Sequence, residues 1–446
     1  MGPNYSRSPV EIPAEYKEVG DWVVAQPKDE VPKGAWWKVF NDPVLDSLMA
    51  EVNVSNQDLR AAEARYTQAR AAVAAARSGL FPALGLDTSA TRARGTPTRY
   101  QVAVDARWEI DVWGRIRRLL EAARAGEQAS AADLEAARLS LQAELATNYF
   151  QLRVTDTTRD LLDDSVKAFQ SSYNITVNRY NAGVAGKADV VQAETQLRST
   201  EAQAIDLRIT RAQLEHAIAV LIGRAPASFT LEPRQFSVRS PDVPPGVPST
   251  LLERRPDIAG AERRMAAANA QIGVAQAAYF PALSLSGSAG FASDSLRTLF
   301  SAPSRFWSIG LGLAGTILDF GARGAQVDIA RGAYDEDVAT YRQTVLAAFQ
   351  EVENNLAALH WLAEESKVQQ EAARAARESV VLTVNQYKAG TAAYLAVVQV
   401  QATQLAEERD TVALLGRRLA ATVALIRAIG GDWSAPAPVA AAAPAR

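Results

Sequence analysis

The chain carries its own pattern twice. Tyr180-Asn181-Ala182-Gly183 recurs as Tyr387-Lys388-Ala389-Gly390, 207 positions later. The same spacing relates Trp113-Gly114 to Phe320-Gly321, Glu144 and Asn148 to Glu351 and Asn355, and Gly223 to Gly430. One spacing held over more than 100 residues means two homologous blocks, uninterrupted between those landmarks. Upstream the spacing is 199, from Asp58 to Asp257 and from Phe81-Pro82 to Phe280-Pro281. The second copy therefore holds eight extra residues, a length change easiest in an exposed loop. Any fold for this chain must be assembled from two similar units.

Proline shows where those units can be helical. Of the 20 prolines, six lie in positions 1–43, none between Pro97 and Pro226, and none between Pro303 and Pro436. Both proline-free stretches are rich in Ala, Glu, Gln, Arg and Leu, which favour helix, and proline would break a helix interior. Residues 114–181 contain one internal glycine, Gly126. As a single helix they would span roughly 100 Å at ~1.5 Å per residue. Residues 321–388 are their counterpart, shorter helices are expected at 187–222 and 392–429, and others precede the strands at 56–78 and 256–278. Soluble helices average about 11–12 residues, so these imply a rod, a coiled coil or a tube. Helix content alone does not choose among them.

Between the Phe-Pro and Trp/Phe-Gly landmarks the period drops to two. Val102, Val104, Ala106, Trp108, Ile110 and Val112 alternate with Ala103, Asp105, Arg107, Glu109 and Asp111. In the second copy Trp307, Ile309, Leu311, Leu313 and Ile317 alternate with Ser308, Gly310, Gly312, Ala314 and Thr316. Leu84 and Leu86, and Leu283 and Leu285, open the preceding strands, and the loops centre on 94–98 and 293–304. Each copy thus offers two strands of about ten residues, the length of a tilted strand crossing a bilayer. Trp108, Trp113 and Trp307 suit an interfacial girdle. A soluble hairpin packed on helices would show the same alternation. The charges Asp105, Arg107, Glu109 and Asp111 on one face favour a water-filled lumen. Four strands left open in lipid would expose unpaired backbone, so the membrane reading requires several copies, in a number the sequence does not fix.

Composition removes other classes. The 446 residues are 48% hydrophobic with a net charge of −3, and no basic excess points to nucleic acid. There is no cysteine, and His216 and His360 are 144 positions apart, which leaves no basis for a thiolate or histidine-rich metal site. No cofactor is expected. No apolar run of about 18–20 residues offers a transmembrane helix. The start, Met-Gly-Pro-Asn-Tyr, has no apolar leader, so the chain is either cytosolic or has lost one. Scattered Asp, Glu and Arg on helix faces form no acid–base or nucleophile constellation, and no enzyme is expected.

An ordered series of motifs spans nearly the whole chain. It comprises Gly2-Pro3-Asn4-Tyr5, Trp36-Trp37-x-x-Phe40-Asn41-Asp42-Pro43 and Asn56-x-Asp58-Leu59-Arg60. It continues with Leu80-Phe81-Pro82, Trp108-Glu109-Ile110-Asp111-x-Trp113-Gly114-Arg115, Arg254-Arg255-Pro256-Asp257-Ile258, Tyr279-Phe280-Pro281 and the two Tyr-x-Ala-Gly turns. Together these resemble the TolC/OprM-type outer-membrane factors, in their lipoprotein branch. The resemblance implies a mainly α fold with a membrane β-barrel: four strands per chain, a 12-stranded barrel in a homotrimer, and a long coiled α-helical periplasmic tunnel. It implies an outer-membrane exit duct of a Gram-negative bacterium, extending into the periplasm and passively conducting drugs or toxic solutes. It also implies a periplasmic adaptor (membrane fusion protein) and an inner-membrane pump of the RND type as partners. In that branch a lipidated cysteine precedes such a start. Met1 stands at or near its place, so the native precursor is expected to carry a signal peptide and lipidated cysteine that this chain lacks. A type I secretion channel is the alternative within the class, and a soluble helical rod or adaptor the alternative outside it. Arg254-Arg255-Pro256-Asp257-Ile258 leans toward drug efflux by resemblance.

The entrance is expected at the two tips. Gly183 and Gly390 follow the long helices and suit the left-handed turn that ends them. By resemblance Asp189 is the acidic latch residue and Tyr387 its partner, with Tyr180 the equivalent of Tyr387 in the first copy. The basic latch position of some members is Ala392, and the acids of a carboxylate ring would fall at Ala396 and Gln399. Gln192 and Gln399 are repeat equivalents, so three copies would set six amides near the constriction, with weak block by cations. Asp105, Arg107, Glu109 and Asp111 are the lumen candidates. Arg254, Arg255 and Asp257 read as helix capping plus an ion pair, and Ser55 with Asp58 as a capping-box variant. His216 and His360 read as packing residues. The organisation expected is a collar segment at 1–55, repeat 1 at 56–223 with strands within 82–113, a linker at 224–255, repeat 2 at 256–430 with strands within 281–320, and a disordered Ala/Pro tail at 431–446.

Overall fold

The computed structural model describes residues 1–10, 12, 13, 16, 17, 35–234, 241 and 254–431. The expected tail, apart from Gly431, and most of the expected linker and of positions 14–34 lie outside the described residues. The helices are α1 (Pro43–Ser55), α2 (Gln57–Ser78), α3 (Arg115–Asn181), α4 (Lys187–Leu221), α5 (Pro256–Ala277), α6 (Ala322–Lys388) and α7 (Tyr394–Ala428). The strands are β1 (Ala83–Thr91), β2 (Arg99–Ile110), β3 (Ala282–Ser293) and β4 (Arg305–Ala314). α3 and α6 are both 67 residues long and α4 and α7 both 35, as a duplicated plan requires.

The chain packs as two compact units: Met1–Glu11, Ala62–Leu134 and Asp257–Leu346 in one, and Ile12–Ala61, Glu135–Pro256 and Ala347–Arg446 in the other. The first contains the sheet. Its order is β1-β2-β3-β4, antiparallel throughout, so the two hairpins of the two copies join at β2–β3. The paired residues of a row share a face. Leu86, Val104, Ala289 and Trp307 form one such row, and Leu84, Ala106, Gly287 and Ile309 the next. The other face carries Gly85, Asp105, Ser288 and Ser308 in one row and Ala83, Arg107, Ser286 and Gly310 in the next. Helices below the sheet pack through small side chains: Ala122, Ala125 and Ala129 of α3 and Ala266 and Ala270 of α5 are buried. The first residues of the chain lie along these helices. Arg118 donates to the Met1 and Gly2 carbonyls (3.0 and 3.2 Å), Asn269 to the Pro3 carbonyl (3.1 Å), and the Tyr5 hydroxyl to Glu262 (2.5 Å).

In the second unit the Trp-Trp-x-x-Phe-Asn-Asp-Pro motif has a physical explanation. Trp36–Phe40 form a 3₁₀ turn whose Trp36, Trp37 and Phe40 are buried. Trp36 Nε1 donates to Gln142 (3.1 Å) and Phe40 packs on Phe150, ring centroids 4.7 Å apart. Asn41 turns the chain with φ 50°, and Asp42 caps α1, accepting from the Val44 and Leu45 amides. Pro43 occupies the first turn, where no amide hydrogen is needed. Tyr149 of α3 closes the arrangement, its hydroxyl donating to Asp42 Oδ2 at 2.6 Å. The main core of this unit gathers Leu45, Met49 and Val52 of α1 with Leu145 and Phe150 of α3, and with segments of α4, α6 and α7.

The repeat is visible in hydrogen bonds as well as in elements. Asn56 Nδ2 donates to the Leu221 carbonyl (2.8 Å), and Arg255, its equivalent, donates to the Ala428 carbonyl (2.9 Å). Gly223 and Gly430 end α4 and α7 with φ 72° and 91°, and a Cβ there would lie 2.2 Å from the Ser55 carbonyl oxygen and 2.3 Å from that of Arg254. Arg255 also pairs with Glu351 (2.9 Å), the ion pair expected of the Arg-Arg-Pro-Asp segment. Two sequence expectations need correction. Ser55 does not cap α2, because it is the last residue of α1; Asn56 caps α2, its Oδ1 accepting from the Leu59 amide (2.9 Å). His216 is not a packing residue, because it faces outward from α4 and is exposed, whereas His360 is half-buried edge-to-face against Trp361.

Candidate functional site

Two places are candidates: the polar face of the sheet and the turns after the long helices. The sheet's other face defines its surroundings. Leu84, Leu86, Val104, Trp307, Ile309, Leu311 and Leu313 are each between 50% and 77% exposed. Seven large apolar side chains on one face of a four-stranded sheet constitute a patch far beyond what a soluble surface carries, and suit acyl chains. Among the described residues no helix is long and apolar enough to cross a membrane. The strands are the membrane element.

On the polar face the two copies contribute differently. Asp105 pairs with Gly85 and Ser288, Arg107 with Ala83 and Ser286, and Glu109 with Ser284. The serines of β3 turn back to the sheet: Ser284 Oγ donates to the Gly312 carbonyl (3.4 Å) and Ser286 Oγ to that of Gly310 (3.3 Å). Glu109 is already engaged, accepting from Arg115 Nε (2.9 Å) and Nη2 (2.7 Å) at the start of α3. Asp111 lies beyond the end of β2. Its carboxylate accepts from the Ile116 and Arg117 amides (3.0 and 2.9 Å) and from Arg117 Nε (3.2 Å). It thus holds the N-terminus of α3, where exposed amides and the helix dipole favour an anion. Of the three lumen candidates within β2, Glu109 is thus tied to α3 and Asp105 and Arg107 are the other two. Asp87 joins them on that face, paired with Ala103. The sequence reading overlooked it, although its position after Leu84 and Leu86 in the alternation marks it.

At the tips both helices end in the same way. The Gly183 amide donates to the Tyr180 carbonyl and the Val184 amide to that of Arg179, both at 2.9 Å. Gly390 and Thr391 repeat this to Tyr387 and Gln386 at 3.0 Å. With φ of 73° and 79° at the two glycines, this is the glycine-terminated helix end. Asp189 sits in the first turn of α4 and its carboxylate accepts from the Gly186 amide at 3.3 Å, a capping bond. Tyr387 is buried and aims elsewhere. Its hydroxyl lies 3.5 Å from Thr176 Oγ1, Arg179 stacks on its ring at 4.6 Å and donates to its carbonyl at 3.1 Å. Edge-on to Tyr387 at 5.3 Å is Tyr394, at the start of α7. Burial first, opposed by a hydrogen bond with Thr176 and reinforced by Tyr387 and the Asp189 carboxylate, pushes its hydroxyl up to about 12. Tyr394 occupies the repeat position of Lys187, which instead lies over the Tyr180 ring at 5.7 Å. That exchange of a cation for an aromatic was the available signal. Gln192 is half-buried and Gln399 exposed. Among the described residues no cluster of His, Cys, Asp or Glu could hold a metal ion.

A duplicated helical chain whose candidate membrane element, among the described residues, is a two-faced sheet of four strands defines a subunit of an outer-membrane channel. The family model described as "Outer membrane efflux protein" matches residues 48–224 and 247–431. The chain is 29% identical over 448 residues to the probable efflux pump outer membrane protein TtgC of Pseudomonas putida, covering 97% of this chain and 92% of that one. It is 31% identical over 415 residues to the pyoverdine export outer membrane protein OpmQ of Pseudomonas aeruginosa, covering 89% and 87%. The solved outer-membrane channel OprN superposes with a TM-score of 0.90 at 31% identity, over 97% of this chain and 99% of that one. The chain belongs to the outer membrane efflux protein family; it is an efflux channel subunit of the outer membrane, not an enzyme.

Proposed function

We propose that this chain is one third of the outer-membrane exit duct of a tripartite efflux system. Three copies close a 12-stranded barrel, and a periplasmic adaptor and an inner-membrane pump of the RND type complete the path. The observation that carries this reading is the sheet: an exposed apolar face, a polar face and two unpaired edges, β1 and β4. In lipid such edges must be paired, and a ring of copies pairs them. The chain performs no chemistry, so conduction is passive, and the polar face with Asp87, Asp105 and Arg107 lines the lumen. Relatives named for efflux and for pyoverdine export support small solutes, drugs among them, over protein cargo. Of positions 1–55 and 224–255, we assign the described residues 35–55 and 224–234 to a collar around the helices.

The helix tips at Gly183 and Gly390 form the periplasmic entrance in this reading, with Tyr180, Tyr387, Asp189, Gln192 and Gln399 around it. Asp189 fastens its own helix start, and in this reading the neutral amides of Gln192 and Gln399 line the constriction. Conductance of the purified protein in planar bilayers tests both parts. Discrete channels only weakly blocked by trivalent cations are expected. Strong block abolished by Asp189→Ala would make Asp189 the constricting ring instead, and a protein that stays monodisperse without detergent would overturn the duct.

A further inference from the structure

The two copies differ in length at one place. The eight residues that the second copy gains lie between Phe280-Pro281 and Phe320, and the β3–β4 connection at 294–304 is longer than the β1–β2 connection at 92–98. Both connections lie at the end of the sheet opposite the helices. The longer one is folded on itself. It makes 3₁₀ turns at Leu296–Thr298 and Ala302–Ser304. Its polar side chains satisfy its own backbone: the Ser295 hydroxyl accepts from the Arg297 amide (3.3 Å), and the Ser301 and Ser304 hydroxyls donate to the Thr298 carbonyl (2.7 and 2.8 Å). Leu299 is buried.

This loop leans over the apolar side of the sheet. Phe300 packs edge-on against Phe291, with ring centroids 5.5 Å apart. Phe291 shares a row with Val102 and Arg305, on the same face as the row of Val104, Ala289 and Trp307. Phe300 and Leu296 nevertheless stay 69% and 63% exposed. Arg297, next to Leu296, and Arg305, in the Phe291 row, are exposed too, and among the described residues neither makes an ion pair. The helix end of the sheet is built the opposite way. There Arg115, Arg117 and Arg323 are each paired, with Glu109, Asp111 and Asp319. Arg305 opens β4 and Leu313 nearly closes it, ~26 Å away along the strand. Arg305 thus stands at the far edge of the apolar band, where headgroups begin.

Exposed apolar side chains flanked by arginines without acids match a boundary between acyl chains and anionic headgroups. We propose that the β3–β4 loop is a foot that binds a phosphate-bearing lipid of the outer leaflet. Phe300 and Leu296 enter the acyl boundary, and the forked guanidinium donors of Arg297 and Arg305 reach the lipid's phosphate oxygens. The shorter loop takes no part. Arg92 and Arg94 are exposed there, but residues 92–98 include no aromatic, and Arg99 falls in the Thr91 row on the polar face. The site therefore belongs to the second copy and occurs once per chain. It rests on the duct reading for its orientation, with the helices on the periplasmic side and the loops outside, and not on the number of copies.

Binding of fluorescent diphosphoryl lipid A to the purified, delipidated protein in detergent micelles tests this. Unlabelled lipid A should displace the probe, whereas phosphatidylcholine and inorganic phosphate at the same concentration should not. Arg297→Gln/Arg305→Gln should weaken binding roughly 30-fold, at about fivefold for each arginine near an anionic surface. Phe300→Ser should weaken it as well, and Arg92→Gln/Arg94→Gln should leave it unchanged. Displacement by inorganic phosphate would mean a free-anion site, and displacement by phosphatidylcholine mere apolar adhesion; either overturns the proposal. So does unchanged binding in Arg297→Gln/Arg305→Gln, or an equal loss in Arg92→Gln/Arg94→Gln, which would show a response to net charge alone. Planar-bilayer recording of the same proteins separates the two readings. Full conductance with any of these results overturns the foot alone, whereas a parent protein that forms no channels overturns the duct.

Discussion

At the residue scale, Tyr149 and Asp42 show how a short motif is held. Tyr149 is fully buried, and burial first, then its hydrogen bond to Asp42, pushes its hydroxyl up to about 12 from the ordinary 10.0. The folded state therefore keeps this proton more tightly than the unfolded one. The resulting stabilisation is complete below pH 10 and is lost as the pH rises through about 12. Tyr149→Phe should cost about 1–3 kcal/mol at neutral pH, because buried Asp42 loses a donor. Chemical unfolding in detergent should also show a shallower loss of stability above pH 10 in the variant than in the parent. Other residues were less readable in advance. Asp111 sits in the period-two run and looked like a lumen carboxylate, but alternation does not show where a strand stops and a helix start takes over its last side chain. Asp189 was placed by resemblance, whereas its capping bond depends on a turn geometry that the sequence only hints at through Gly186. Buried Arg153 and Asp156 are joined by half-buried Arg211, which lies 2.7 Å from Asp156 and donates to the Leu231 carbonyl. Arg211 is 55 positions from Asp156, and all three look like ordinary helix charges in the sequence.

At the element scale, the strands were legible because side chains in a sheet alternate by necessity, and the helices because proline is excluded from their interiors. The long helices and the two strand pairs followed from those two rules and the repeat, whereas the barrel was implied by the family resemblance. The sheet's faces give a direct test. Leu311 is exposed on the apolar face and Ser286 lies on the polar one, where its hydroxyl bonds across to β4. Leu311→Arg should destabilise the membrane-inserted protein by about 2–4 kcal/mol if it lies near the bilayer midplane. Ser286→Arg should leave folding near normal and change single-channel ion selectivity. Urea titration in lipid vesicles measures the first and bilayer recording the second. Equal destabilisation by both would mean that the sheet is not two-faced in its working environment.

At the scale of the whole molecule, duplication lets one gene product supply two kinds of seam, one inside the chain and one between chains. The halves are not interchangeable, though. The first copy brings Asp87, Asp105 and Arg107 to the polar face where the second brings serine and glycine, so the proposed duct would have a lumen whose charge rises and falls around its circumference. The same asymmetry sets Lys187 beside one tip and Tyr394 beside the other. The open edges of the sheet have a further consequence, which belongs to genetics. A ring is only as sound as its least sound member, since every copy must offer both β1 and β4. A chain with Leu311→Pro, which removes a backbone amide from β4, should therefore do more harm than its share when made alongside the normal chain. With the two alleles expressed equally, most rings would include at least one defective copy, and drug susceptibility should approach that of cells with no channel. Susceptibility that stayed halfway between would mean that chains are sorted before they meet.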